Sequence, residues 1–200
     1  MSPRPLEPRG PVVGVLALQG GFEAHERVLV RLGASVREVR VPADLERLDA
    51  LVLPGGESTV MTLGIEREGL GAPLRALAAA GTPILGTCAG MIMLDRAHLG
   101  VLDALAERNA FGRQLHSFEA DFEVDGVPDG PVHAIFIRAP WISECGPEVS
   151  VLAEVDGHPV AIRQGSILAL AFHPELTGED RLHRFFLATV AGFDTLRVEE

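Results

Sequence analysis

The chain has 200 residues, 47% of them apolar, which is enough for one domain with a substantial core. Its formal net charge of −11 excludes sequence-independent binding to nucleic acid or to an anionic membrane surface, because both need clustered positive charge. Cys88 and Cys145 sit in unlike settings and make no disulfide framework, so a reducing compartment and a cytoplasmic protein are expected.

Residues 1–10 hold proline and arginine without an apolar run and read as a loose tail, ahead of a single domain over residues 11–200. Val12-Val13-Gly14-Val15-Leu16-Ala17-Leu18 is apolar on both faces of the pleat, the pattern of a parallel strand covered on two sides. After Gln19-Gly20-Gly21, the helical spacing of Val28, Leu29 and Leu32 predicts a helix over 22–32 that stops at Gly33. Alternation of Val36, Val39 and Val41 predicts an edge-type strand over 35–41, and Ala50-Leu51-Val52-Leu53 a buried one. Helices are expected over 60–68 and 73–80.

Residues 76–94 carry no charge and approach the roughly 20 residues of a membrane span. Gly81, Thr82, Pro83, Gly86, Thr87 and Gly90 would break such a helix repeatedly. The stretch reads instead as a helix end, a short buried strand over 83–85, and a helix whose inner face is Met91 to Leu94. Residues 99–106 are mixed, and 108–114 form a polar connector. Strand-like runs at 115–124, 132–137, 149–155, 160–163 and 167–172, separated by Gly, Pro and Asp turns, suit hairpins. A last helix is expected over 180–191. Strands alternating with helices, then hairpins, predict an α/β fold: a mainly parallel sheet flanked by helices in three layers, with an antiparallel extension in the second half.

Three short segments carry chemistry. Gly86-Thr87-Cys88-Ala89-Gly90 places a thiol between strand and helix with a glycine two residues to either side. In its serine form this spacing makes a nucleophile elbow, and the start of the following helix favours a thiolate. A lone cysteine is more often core packing, so a partner base decides the matter. His173-Pro174-Glu175 follows the apolar run 167–172. Pro174 excludes regular helix, and an extended backbone would turn His173 and Glu175 to the same side. A carboxylate on one ring nitrogen leaves the other free to handle the thiol proton. His25, His98, His116, His133, His158 and His183 have no such partner after a buried strand. Gly55-Gly56, after a buried strand, can leave backbone amides free for an oxyanion. It is no phosphate fingerprint, and the absence of metal-ligand spacings predicts no metal. No cofactor is expected.

Pro-Gly-Gly-Glu-Ser-Thr at 54–59, Gly-Thr-Cys-Ala-Gly at 86–90 and His-Pro-Glu at 173–175 together resemble the class I, triad-type glutamine amidotransferases, a flavodoxin-like family. Val15-Leu16-Ala17-Leu18-Gln19-Gly20, the 108–114 connector, Ser117-Phe118-Glu119 and Phe136-Ile137-Arg138-Ala139-Pro140 resemble more narrowly the glutaminase subunits of pyridoxal 5'-phosphate synthase. The resemblance implies that Cys88 attacks the side-chain amide of L-glutamine, that His173 moves protons and that Glu175 orients His173. It further implies that Gly55, Gly56, Glu57, Arg108, Ile137 and Arg138 hold glutamine. The amides of Gly56 and Ala89 suit the oxyanion, an arginine suits the substrate carboxylate, and an acidic side chain suits its ammonium. Ammonia would pass to a synthase subunit that makes pyridoxal phosphate, and activity would rise when that subunit binds. Two departures stand out: Ala24 replaces a glutamate in Gln-Gly-x-x-x-Glu-His, and the 94–99 connection is short.

Overall fold

The computed structural model describes residues 10–108 and 117–193. Strand β1 (Val12–Leu16) leads into α1 (Phe22–Arg31) and β2 (Ser35–Val39), and a 3-10 turn at Pro42–Leu45 precedes β3 (Ala50–Leu53). Then come α2 (Ser58–Arg67), α3 (Gly71–Ala79), β4 (Ile84–Thr87) and α4 (Ala89–Leu94). Strands β5 (Ala104–Glu107), β6 (Ser117–Phe122), β7 (Val132–Ile137), β8 (Trp141–Cys145), β9 (Ser150–Val155), β10 (His158–Gln164) and β11 (Ile167–Leu170) follow. A 3-10 turn at Pro174–Leu176 and α5 (Arg181–Phe185), which runs on as a π turn over Phe186–Val190, complete the described elements. The expected tail at 1–10 lies outside the described residues except for Gly10, as does the 108–114 connector beyond Arg108.

The main sheet has the order β2-β1-β3-β4-β11-β10-β9. Its first five strands run parallel, and β10 and β9 extend it antiparallel, as the order and spacing of the predicted elements imply. Strands β3, β4 and β11 are buried on both faces, which explains their unbroken apolar runs. Burying one such leucine or valine contributes about 1.5–3 kcal/mol, so these strands form the rigid centre. Strand β2 lies at the edge, and its polar alternation fits that place. Helix α1 buries Ala24, His25, Val28 and Leu29 against β1 and β2. It ends where Gly33 takes φ +84 and the Ala34 amide turns back to Leu29 O.

The parallel neighbours β4 and β11 are adjacent in space but far apart in sequence. The segment between them includes α4, the antiparallel pairs β5–β8 and β6–β7, and the β9–β10 hairpin. Strands β5 and β8 were not expected as strands. Ala104, Leu105 and Ala106 lack the β-branched bulk that marks a strand, and Trp141, which opens β8, is placed by stacking on His158 at 3.5 Å. The short 94–99 connection is organised by buried Asp95, whose Oδ1 accepts the amides of Ala97 and His98 and whose Oδ2 accepts that of Ala106. The last helix begins as expected, but it continues as a π turn, and Phe185 at the end of α5 with Phe186 and Leu187 in that turn lie consecutively in the core. No helix among the described residues is long and apolar enough to cross a membrane.

Candidate active site

The carboxyl ends of β1, β3, β4 and β11 meet at one cleft, as in other open parallel sheets. Cys88 follows β4 directly and takes φ +48 and ψ −106, a strained turn for a residue with a side chain. The flanking glycines permit it: a Cβ at Gly90 would lie 1.9 Å from Leu53 O, and one at Gly86 2.9 Å from Gly90 C. Strand, elbow and helix can therefore touch only through backbone. The Cys88 amide donates to Leu170 O at 2.8 Å, which ties the elbow to the end of β11.

Three residues past β11, His173 donates its amide to Ile135 O on β7 at 3.0 Å. Its Nδ1 lies 2.7 Å from Glu175 Oε1, and the other side of the ring is beside Cys88, both packed against Gly55. His173 and Glu175 do meet, but not on the extended backbone expected. Pro174 starts a 3-10 turn, which suits its fixed φ and missing amide hydrogen and brings the carboxylate back under the ring. All three side chains are buried, Cys88 at 6% exposure, His173 at 9% and Glu175 at 8%. Burial opposes charge on His173, but the contacts with Cys88 and Glu175 outweigh it and push its pKa up to about 10. Burial likewise opposes charge on Glu175, yet His25 and then the His173 hydrogen bond hold its carboxyl below the usual range. An imidazolium held between thiol and carboxylate can deliver a proton to a leaving amine.

The cleft in front of Cys88 has a volume of about 450 Å³. Gly56, Glu57, Cys88, Ala89, Arg108, Ile137, Arg138 and His173 line it, so the elements bring most of the residues singled out in the sequence to one place. Gly55 and Glu175 are behind the wall. A Cβ on Gly55 would approach His173 Cε1 to 2.3 Å and Cys88 Cβ to 3.3 Å, so only glycine fits there. Gly55 O accepts the Gly21 amide at 3.0 Å, and across a planar trans peptide the Gly56 amide hydrogen points the opposite way. Cys88 Sγ lies 4.0 Å from Ile137 O, and Arg138 next to it has φ +44. Arg108 Nη1 reaches Ser58 Oγ at 3.3 Å and Thr59 Oγ1 at 3.4 Å, which fixes the guanidinium over the start of α2.

Sequence reasoning passed over Gln19, Ser58 and Ile92, which also line the cleft. Gln19 Oε1 accepts the Glu57 amide at 2.7 Å and so clamps the Gly55-Gly56-Glu57 loop to the end of β1. Its position just after a buried strand was the available signal. Cys145 is an exposed residue at the end of β8, and burial of its sulfur raises the thiol pKa, the reverse of what a nucleophile needs. Ala24 is packed in the core face of α1. Among the described residues, no group of three or more His, Cys, Asp or Glu is placed to hold a metal ion.

The profile of the SNO glutamine amidotransferase family matches residues 15–192. The chain belongs to the SNO glutamine amidotransferase family. Members similar to it include the pyridoxal 5'-phosphate synthase subunit PdxT of Frankia alni, 53% identical over 190 residues, covering 90% of this chain and 96% of that one. The subunit of the same name from Mycolicibacterium vanbaalenii is 52% identical over 193 residues, covering 90% and 98%. Among solved structures, a glutamine amidotransferase superposes with a TM-score of 0.84 at 47% identity, covering 90% of this chain and 99% of the other. The SNO family relationship thus extends over the β4 elbow, β11 and the turn that carries His173 and Glu175.

Proposed function

We propose that this chain is the glutaminase subunit of a pyridoxal 5'-phosphate synthase, with Cys88, His173 and Glu175 as its catalytic residues. It hydrolyses L-glutamine to L-glutamate and ammonia, and the ammonia goes to a synthase subunit. Its relatives carry that subunit name over nearly their whole length. We further infer that residues 11–200 work as one domain in the cytoplasm. The single observation that carries the catalytic reading is the buried Cys88-His173-Glu175 row at the head of the cleft.

Cys88 Sγ, its proton passed to His173, attacks the side-chain carbonyl carbon of glutamine, and the carbonyl electron pair moves onto oxygen. The amides of Gly56 and Ala89 stabilise that oxyanion; one such donor is worth about 3–4 kcal/mol in comparable sites. The carbon–nitrogen bond breaks as His173 gives its proton to the leaving nitrogen, which departs as ammonia and leaves a thioester on Cys88. Water then attacks the thioester while His173 takes its proton, the carbon–sulfur bond breaks, and glutamate leaves. Glu175 keeps the His173 ring in one tautomer and orientation throughout. Arg108 and Arg138 pair with the substrate α-carboxylate, Glu57 with its ammonium, and Ile137 and the Gly55-Gly56 backbone fix the side chain.

The test is glutamate release by the full chain with the synthase subunit present, for the natural protein and Cys88→Ala. The variant is expected to fold, to bind the synthase subunit and to release glutamate only at background rate. Unchanged glutamate release would remove Cys88 as nucleophile.

A further inference from the structure

Behind Glu175 lies a second set of titratable side chains that the chemistry above does not use. His25 on α1 and His183 on α5 are both fully buried, far apart in sequence, with ring centroids 5.1 Å apart. His25 Nδ1 lies 2.8 Å from His183 Nε2. On its other edge, His25 Nε2 lies 3.1 Å from Thr87 Oγ1, next to the nucleophile, and 3.3 Å from Glu175 Oε2. That oxygen is buried and has no well-aligned hydrogen bond, so the His25 approach is the polar contact it has among the described residues. Glu175 Oε1 is engaged by His173.

The direction of each proton follows from this arrangement. A bare His25 Nε2 would set its lone pair against a carboxylate oxygen at 3.3 Å, so Nε2 carries the proton. Nδ1 is then an acceptor, and His183 must donate to it from Nε2. This leaves His183 Nδ1 bare and without a partner, as found. Burial lowers the pKa of His25, against the pull of Glu175, and that of His183, which favours the neutral rings in which the chain of donors runs one way, toward Glu175.

We propose that His25, backed by His183, is a positioning residue for catalysis: fixed by Thr87, its Nε2 edge stands 3.3 Å from the second oxygen of Glu175 and favours the carboxylate orientation that keeps the first oxygen aligned on His173. This rests on the reading of Cys88, His173 and Glu175 as the catalytic groups. The hydrogen bond of His25 Nε2 goes to Thr87 Oγ1 at 3.1 Å, which aims the ring edge past Glu175 Oε2 and ties the clamp to the residue that enters the strained elbow. The charged or titratable groups facing this cluster are Cys88, His173 and Glu175 at the head of the cleft, His25 and Arg31 from α1, and His183 from α5.

The experiment measures kcat and KM for glutamine against pH, with the synthase subunit present, for the natural chain, His25→Leu, His25→Gln and His183→Leu. Active sites are counted by stoichiometric alkylation of Cys88, so that misfolded protein does not enter the rates. Losing the polar contact to the Glu175 carboxylate is expected to lower kcat of His25→Leu roughly 10- to 100-fold, with KM within about threefold. The acid limb of its profile should move to higher pH, because Glu175 loses a partner for its charged form. A glutamine amide nitrogen can stand where Nε2 stood, so His25→Gln should recover to within about threefold of the natural chain. His183→Leu should move the limb the same way by less.

A His25→Leu profile that coincides with the natural one, or equal losses in His25→Leu and His25→Gln, would overturn the proposal. If His25→Leu does not fold, His183→Leu decides: a shifted limb supports the clamp and an unshifted limb refutes it. Cys88→Ala run alongside separates the two levels. If it releases glutamate like the natural chain, the catalytic reading itself has failed, whereas loss there with a natural His25→Leu profile refutes only the clamp.

Discussion

The two ends of the cleft are built differently. At the head, Cys88, His173 and Glu175 are buried, backbone hydrogen bonds tie Cys88 to β11 and His173 to β7, and glycines around the elbow leave no alternative packing. At the mouth, Arg108 and Arg138 are exposed and Ile137 is 38% exposed. The head comes from the ends of central parallel strands and the mouth largely from the segment inserted between β4 and β11. A buried, overdetermined head suits chemistry, where small misplacements are expensive. An open mouth suits recognition of a charged substrate that must enter and leave.

That contrast fixes what each substitution should do. Glu175→Gln leaves a neutral side chain under His173 and can present the wrong tautomer, so kcat should fall by about 10³–10⁴ with KM little changed. Steady-state kinetics with the synthase subunit check this, and a KM effect without a kcat effect would break the division between head and mouth. Arg138→Ala should instead raise KM for glutamine roughly 10- to 100-fold, the worth of a hydrogen bond to a charged group, while kcat holds within about threefold.

Stability against pH provides a smaller effect with a definite sign. His173 is raised from 6.5 to about 10, so its stabilising contribution is complete below pH 6.5 and is lost as pH rises through 10. Glu175 is lowered from 4.5, so its contribution is present above pH 4.5 and is lost as pH falls through its lower folded value. Urea midpoints of the natural chain and His173→Gln should therefore differ most below pH 6.5 and converge toward pH 10. The smallest effect belongs to Cys145→Ser, which should leave glutamate release within about twofold, because that thiol is exposed and away from the cleft.

The head was also the more legible part. Gly86, Gly90 and the His173-Pro174-Glu175 sequence encode local backbone demands, which short spacings express directly. The parallel strands were readable for the same reason, since burial on both faces leaves an unbroken apolar run. Long-range contacts leave no such mark. His25 looks like any core position on α1, and its partners Thr87, Glu175 and His183 come from three distant elements. Gln19 reads as a turn residue until its hydrogen bond to Glu57 is seen. Strands β5 and β8 were hidden because Ala104, Leu105 and Ala106 are as much at home in a helix.

The most direct test of the central claim is to alkylate the full chain with iodoacetamide in steps, with the synthase subunit present, mapping Cys88 and Cys145 separately by peptide mass. Glutamate release should fall in one-to-one proportion to Cys88 modification, glutamine should protect that site, and Cys145 modification should be without effect. Full glutamate release from protein whose Cys88 is completely alkylated would contradict the account.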